Sequence, residues 1–207
     1  MIFSLDLEGV LAPEIWPVLG VTFGVPEFSF TTRDIVDFEE LMRQRVAGAT
    51  RAGLKLADLQ RVAHSVEPFL GAREFLTKLR GLGNVVIISD TFHEFSEPLA
   101  TKLGSVSLFA NRFELDAEGR ITGFKLRIRG QKERIVSGFK SAGYKVAAMG
   151  DSMNDLSLLK SCDYPVIYRP SETLQREFPD VKPVHNLDDA LAILEAAARQ
   201  RAAELNG

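Results

Sequence analysis

The chain has 207 residues, 45% of them hydrophobic and 26% charged, with a formal net charge of -3. This is the make-up of a globular protein with one large core, or a core with a small accessory domain. It excludes a basic nucleic-acid binder and gives no reason to expect an anionic membrane as partner. No apolar run reaches membrane-spanning length, and the opening residues lack a basic segment and cleavage site, so a cytoplasmic location is expected. The single cysteine, Cys162, excludes an internal disulfide framework and is read as a small buried hydrophobe after a helix.

In chain order, Ile2 and Phe3 open a buried strand that runs into "SLDLEGVLAPE". Residues two apart on a strand share a face, so Asp6 and Glu8 are expected side by side at its carboxyl end. After turns at Pro13 and Pro17 the pattern becomes helical. "TTRDIVDFEELMRQRVAGAT" sets Ile35, Phe38, Leu41, Met42 and Val46 at helical spacing, with Thr32 or Asp34 as cap. "LKLADLQRVAHSV" predicts a second helix after Gly53. No strand signal occurs between about Pro13 and Glu67, which reads as an all-helical insertion. "GAREFLTKLRGLG" is a short amphipathic helix closed by Gly81 and Gly83. "NVVIISD" has the unbroken apolar run of a strand buried on both faces. "SVSLFAN" predicts another strand, and "RFELDAEGRITGFKLR" a hairpin turning at Ala117 to Gly119. "QKERIVSGFKSAG" is a helix, "KVAAMGD" a strand, "SMNDLSLLKSC" a helix, "YPVIYR" a strand, and Leu187 to Leu205 an Ala-rich helix. The alternation implies an α/β fold with a doubly wound parallel sheet, whose ligands bind beyond the carboxyl ends of the strands.

Three of those ends are polar: Asp6 with Glu8, Ser89 with Asp90, and Asp151 with Asp155. In one parallel sheet they converge, and so many carboxylates in one crevice need a cation. An all-oxygen donor set suits Mg²⁺, which keeps several waters and partners a phosphate. Zinc spacings of His and Cys are absent from this set.

These elements resemble the haloacid dehalogenase (HAD) superfamily of phosphatases. The superfamily has an acid, any residue and a second acid ("DLEGV"), a Ser or Thr after the second strand ("IISDT"), a Lys before a later helix ("GQKERI") and a closing Gly-Asp-x-x-x-Asp ("GDSMND"). "LDLEGVLAPEIW", "TTRDI", "LMRQR" and "SDTF" are similar to its bifunctional phosphoserine phosphatase and homoserine phosphotransferase group. The resemblance implies a Rossmannoid three-layer core over 1–12 and 70–207, with the helical segment 13–69 as an inserted cap that closes over small substrates. It implies phosphoserine as substrate, homoserine as a possible acceptor, and a monomer or homodimer.

Residue by residue, it implies that Asp6 is the nucleophile, ionised without help, and that Glu8 is the general acid and base. The superfamily usually has Asp at this second position; the named group has Glu. Asp6, Asp151 and the backbone carbonyl of Glu8 would bind Mg²⁺, with Asp155 orienting metal waters or the lysine. Lys132 is the phosphoryl-neutralising lysine, chosen over Lys125, Lys140 and Lys145 because it opens the helix leading to the last catalytic strand. Ser89 and Asn154 would hydrogen-bond the phosphoryl group. Asp90 and Thr91 replace the glycines of ordinary phosphoserine phosphatases and would shape the substrate side. Arg45 is the candidate for the substrate carboxylate, with Arg43 as competitor, and Glu14 for the ammonium group. Trp16, Phe23 and Phe28 are assigned to packing of the cap. His93 could line the pocket; His64 and His185 are assigned no role. A receiver domain is about half this size and lacks the insertion; two other readings stay open, a non-catalytic phosphometabolite sensor and a HAD phosphatase of another phosphomonoester.

Overall fold

The computed structural model describes residues 1–206 except 33, 36 and 128–131. One sheet is built from β1 (Ile2–Leu5), β2 (Asn84–Phe92), β3 (Ser107–Leu115), β4 (Ile121–Lys125), β5 (Val146–Gly150) and β6 (Tyr164–Ile167), in the order β4-β3-β2-β1-β5-β6. All neighbours are parallel except the edge pair β3 and β4. The central β1 sets Leu5 opposite Ile87 of β2 and Met149 of β5, so the ends that carry the polar signatures lie together.

Successive strand residues point to opposite faces, and this sheet feeds two cores. Phe3, Leu5, Val85, Ile87, Ala147 and Met149 enter one; Ile2, Val86, Ile88, Val146 and Ala148 enter the other. Burial on both faces is why these strands are apolar without alternation.

Between β1 and β2 the chain passes through α1 (Ile15–Phe23), α2 (Pro26–Ser29), α3 (Phe38–Arg51) and α4 (Leu56–Ala63), with no strand among the described residues. Pro17 does not turn the chain as expected; it lies in the first turn of α1, where its missing N–H has no partner to lose. Neither Thr32 nor Asp34 caps α3. Asp37 does, accepting from the amides of Glu39 and Glu40, while the Asp34 carboxylate accepts from Thr31 in a separate turn. Arg33 and Val36 of that predicted helix lie outside the described residues, as does Gln131 of the helix predicted to open with it.

The sheet is covered on one face by α5 (Ala72–Arg80) and α6 (His93–Lys102), through residues such as Leu76 and Leu99. On the other lie α7 (Lys132–Ser141), α8 (Leu156–Ser161) and α9 (Glu172–Glu177), through Val136, Leu158 and Leu174. α10 (Leu187–Asn206) returns to the first face with Leu191 and Leu194, and the apolar side chains of the insertion continue that same cluster. "SVSLFAN" and "RFEL" form a single strand, β3, because the polar Asn111 between them is fully buried and hydrogen-bonded instead of marking a break. The tip of its hairpin docks on the insertion, where the amide of Leu56 donates to the carbonyl of Gly119 at 3.0 Å. No helix among the described residues is long and apolar enough to cross a membrane.

Candidate active site

β1 ends at Leu5, so Asp6 and Glu8 are not neighbours on a strand face; both lie in the turn beyond it. The amide of Asp6 still donates to the carbonyl of Met149 at 3.0 Å, which holds Asp6 at the sheet end. Leu7 then turns into the core, and its carbonyl accepts from the amides of Leu11 and Ala12 at 2.8 and 3.0 Å. Gly9, at φ +80°, permits this turn, and a Cβ there would stand 2.8 Å from Cγ of Asp151. The same logic applies at Gly150, where a Cβ would meet that of Asp155 at 2.5 Å. Two glycines thus leave room for the Asp151 and Asp155 carboxylates.

Of the four candidate lysines, Lys132 stands among the acids. Its Nζ lies 2.8 Å from Asp155, 3.1 Å from Asp90 and 3.5 Å from Asp6, with only 1% of its side chain exposed. Burial alone would push its pKa down, but the three carboxylates, Asp155 foremost, raise it well above its ordinary value. Lys125 pairs with Glu114, and Lys140 and Lys145 with Asp163. Asp155 is fully buried, and its second oxygen accepts from the amides of Asp151 and Ser152 at 3.0 and 3.4 Å. Asp90 turns one oxygen to Lys132, while its Oδ1 is buried with no hydrogen-bond partner.

Asp6, Asp151 and Asp155 each offer an oxygen within 4.8 Å of the others. Burial, then repulsion from Asp155, raises the pKa of Asp6, and the same two causes bring Asp151 to about 7. Lys132 draws the pKa of Asp6 down, but not enough to offset burial and the acid neighbours. Its Oδ1 is buried and accepts no hydrogen bond. An orphaned carboxylate oxygen in a mutually repelling all-oxygen set fits a hard divalent cation such as Mg²⁺.

This has a measurable consequence. Glu8 and Asp151 are raised to about 7 from 4.5 and 3.8, so between these values the folded chain binds protons that the unfolded chain has released. Stability carried by the protonated acids is thus lost as pH rises through about 7. In EDTA the Tm is expected to fall between about pH 4 and 7. Mg²⁺ at about 100 times its Kd should then restore about 2.7 kcal/mol, roughly 5–11 °C for a chain of this size. A flat profile in EDTA together with no response to Mg²⁺ would rule out a cation site here.

A cavity of about 320 Å³ opens over this cluster. Asp6, Glu8, Ser89, Asp90, Thr91, Asp151 and Asn154 line it from the sheet side, and Glu14 and Arg45 from the insertion. Lys132 and Asp155 sit behind the lining. The Glu8 carboxylate accepts from the hydroxyl of Thr91 at 2.9 Å; burial raises its pKa, and this bond and Arg45 hold it back to about 7. Arg45 is 5% exposed, donates from Nη2 to the carbonyl of Phe30 at 2.6 Å, and stacks its guanidinium 4.7 Å from the Trp16 ring centroid. Burial lowers its pKa only to about 10, so it stays charged, and its Nε is buried with no hydrogen-bond partner. Arg43 is exposed and pairs with Glu39 and Glu40 outside the cavity.

Phe28 packs as expected, and Phe23 lies against the core. Trp16 does more than pack the cap: it touches Phe28 and Phe95 and also lines the cavity. His93 and His185 are not in the lining, and the His64 ring contacts the Glu94 carbonyl. Sequence reasoning missed Thr31, Phe38, Leu41, Ser152, Arg169 and Ser171 of the wall. The signal for Arg169 and Ser171 was available, since they follow the carboxyl end of β6 as the named acids follow theirs. Phe38 and Leu41 carry only a core-like pattern.

Residues 11–160 match a family model described as haloacid dehalogenase-like hydrolase. "Phosphoserine phosphatase ThrH" of Pseudomonas aeruginosa is 43% identical over 188 residues, 91% of this chain and 92% of that protein. A phosphoserine phosphatase of Pseudomonas syringae is 42% identical, covering 91% of this chain and 79% of the relative. Among solved structures, a substrate-bound phosphoserine phosphatase complex superimposes with a TM-score of 0.75 at 19% identity, over 92% of this chain and 96% of that one. The phosphoserine phosphatase of T. onnurineus gives 0.70 at 24%, over 93% of each chain. These two likenesses show the fold. The family match and the two Pseudomonas relatives, which extend over nearly all of the chain, show more: the protein belongs to the haloacid dehalogenase-like hydrolases.

Proposed function

We propose that the protein is a Mg²⁺-dependent phosphoserine phosphatase that works through an aspartyl phosphate on Asp6 and also passes the phosphoryl group to homoserine. The observation that carries the substrate is the buried, unpartnered Nε of Arg45 in the wall of the cavity over Asp6. A buried guanidinium nitrogen lacking an acceptor favours an anionic one, and a carboxylate meets the guanidinium fork in a bidentate pair. Glu14 on the same wall offers a partner to the substrate ammonium group. The two relatives named as phosphoserine phosphatases support the same substrate.

In this mechanism a carboxylate oxygen of Asp6 attacks phosphorus while the bond from phosphorus to the serine oxygen breaks. Glu8, with a pKa of about 7, gives its proton to the departing alkoxide. It then takes a proton from water, or from the homoserine hydroxyl, as that oxygen attacks phosphorus and releases Asp6. Thr91 holds the Glu8 carboxylate, Ser89 and Asn154 donate to the phosphoryl oxygens, and Asp155 holds Lys132 beside them. Mg²⁺ bound by Asp6, Asp151 and the Glu8 carbonyl would neutralise charge on the transferred group. Residues 13–69 act as the cap that excludes water. Homoserine competes with bulk water because a bound, oriented alcohol can reach an effective molarity of roughly 10⁵ to 10⁸ M.

The test is a phosphorus NMR time course with phosphoserine and Mg²⁺, with and without homoserine. Phosphate in the first tube and phosphohomoserine in the second are expected. Phosphate alone in both removes the transferase; intact phosphoserine in both removes the substrate. Arg45→Ala should raise the KM for phosphoserine by roughly 10- to 150-fold, the value of a hydrogen bond to a charged group. Hydrolysis of p-nitrophenyl phosphate, which lacks the amino-acid part, should change little. An unaltered KM for phosphoserine would take Arg45 out of the recognition site.

A further inference from the structure

β2 and β3 pair regularly up to Ile88 opposite Phe109 and again at Phe92 opposite Asn111, so Ser89, Asp90 and Thr91 stand against Ala110 alone. A regular strand would present only alternate side chains to one side. The bulge lets three consecutive ones line the cavity, and a bulge leaves backbone groups outside the ladder. The carbonyl of Asp90 accepts instead from the side chain of Asn111, whose Nδ2 lies 2.8 Å away. Oδ1 of the same side chain accepts from the amide of Arg127, also at 2.8 Å. A carbonyl can only accept and an amide N–H can only donate, so the orientation of the Asn111 amide is set by its partners. Asn111 is fully buried. On one side it grips the strand end that carries Ser89, Asp90 and Thr91; on the other it grips the backbone of Arg127. Asp90 in turn lies 3.1 Å from the Lys132 ammonium.

We infer that Asn111 is a positioning residue for phosphoryl transfer, its side-chain amide locking the β2 bulge, and with it the Asp90 partner of Lys132, to the backbone of Arg127. Its planar carboxamide presents a donor and an acceptor at once. Aspartate keeps the acceptor for Arg127 but loses the donor to Asp90. Serine keeps a hydroxyl that can donate to Asp90 but is shorter. The inference rests on the phosphoryl-transfer reading of the Asp6 cluster, and not on which phosphomonoester is the substrate.

Asn111→Ala and Asn111→Ser are to be compared with Ile121→Ala, which removes buried apolar atoms from the adjacent edge strand without touching the bulge. Each is assayed with phosphoserine and with p-nitrophenyl phosphate at a temperature where it is folded. Outer groups that orient reacting ones typically contribute about 10- to 100-fold. Asn111→Ala should lose kcat by about that factor on either substrate with KM within about threefold, and Asn111→Ser should recover part of it. Ile121→Ala should lower Tm and keep kcat. Hydrogen exchange in Asn111→Ala should quicken together at Ser89 to Thr91 and around Arg127, two segments far apart in sequence. Equal kcat in Asn111→Ala and Ile121→Ala would reduce Asn111 to a stabilising residue and overturn the inference. If the wild-type protein splits p-nitrophenyl phosphate but not phosphoserine, the substrate proposal fails and the kcat comparison stands. If it splits neither, exchange decides: coupled loosening supports the lock, and loosening of one segment alone overturns it. Should Asn111→Ala fail to fold, Asn111→Ser gives the same two readouts.

Discussion

Replacing Asp6 by Asn is expected to reduce turnover by about 10⁴-fold or more while leaving the fold intact, because a carboxamide is a poor nucleophile toward phosphorus. The substitution is nearly isosteric at a side chain whose Oδ1 makes no hydrogen bond. Stability should move the other way from activity. Asp6 is raised in pKa by burial and then by Asp155, with Asp151 and Asp90 adding to the repulsion, so a neutral amide relieves strain between charges. Above about pH 7 in EDTA the variant should melt no lower than the wild type, and Mg²⁺ should stabilise it less, since one of three candidate ligands has lost its charge. Residual activity above about one part in a thousand would sink the covalent mechanism. Lost activity with a much lower Tm would point instead to a damaged fold.

Lys132→Met should have the largest effect on stability. Lys132 faces Asp155, Asp90 and Asp6 within 3.5 Å, and Asp155 has no exposure to water. Removing a cation that faces a buried acid cluster typically costs about 3–5 kcal/mol, or roughly 6–20 °C in Tm for a chain of this length. The deficit should shrink on acidification, because a protonated carboxyl needs no counter-charge. Activity should fall by roughly 10²- to 10³-fold from the loss of charge stabilisation at the phosphoryl oxygens. Calorimetry at two pH values and a steady-state assay read these effects. A variant with wild-type Tm and wild-type kcat would show that the acids are balanced by something else.

Much of the fold was legible because its signals are local. Continuous apolar runs such as "NVVIISD" can be satisfied only between two layers, and "DAEG" can only turn a hairpin, which it does at Gly119 with φ +78°. Boundaries were less legible. The Ile35 and Phe38 spacing extends the helical pattern upstream of α3, yet the Asp37 side chain ends it by capping two amides. Asn111 and Arg112 look like the end of a strand, but a buried hydrogen-bonded amide lets β3 run through them.

The sequence by itself determined the α/β alternation, the helical insertion after β1 and the three polar strand ends, because periodicity and short-range order are written within a few residues. Tertiary structure alone decided who meets whom. It separated Asp6, which faces Lys132, from Glu8, which faces Thr91. It put Lys132 among the acids while Lys125, Lys140 and Lys145 pair elsewhere, and turned Arg45 into the cavity and Arg43 out. It also brought Trp16 and Arg169 to the wall. These choices depend on the pairing of β1 with β2 and β5, which joins residues far apart in the chain. Burial there raises the cost of every unpaired charge, so partners are selected by the assembled core and not by spacing along the chain.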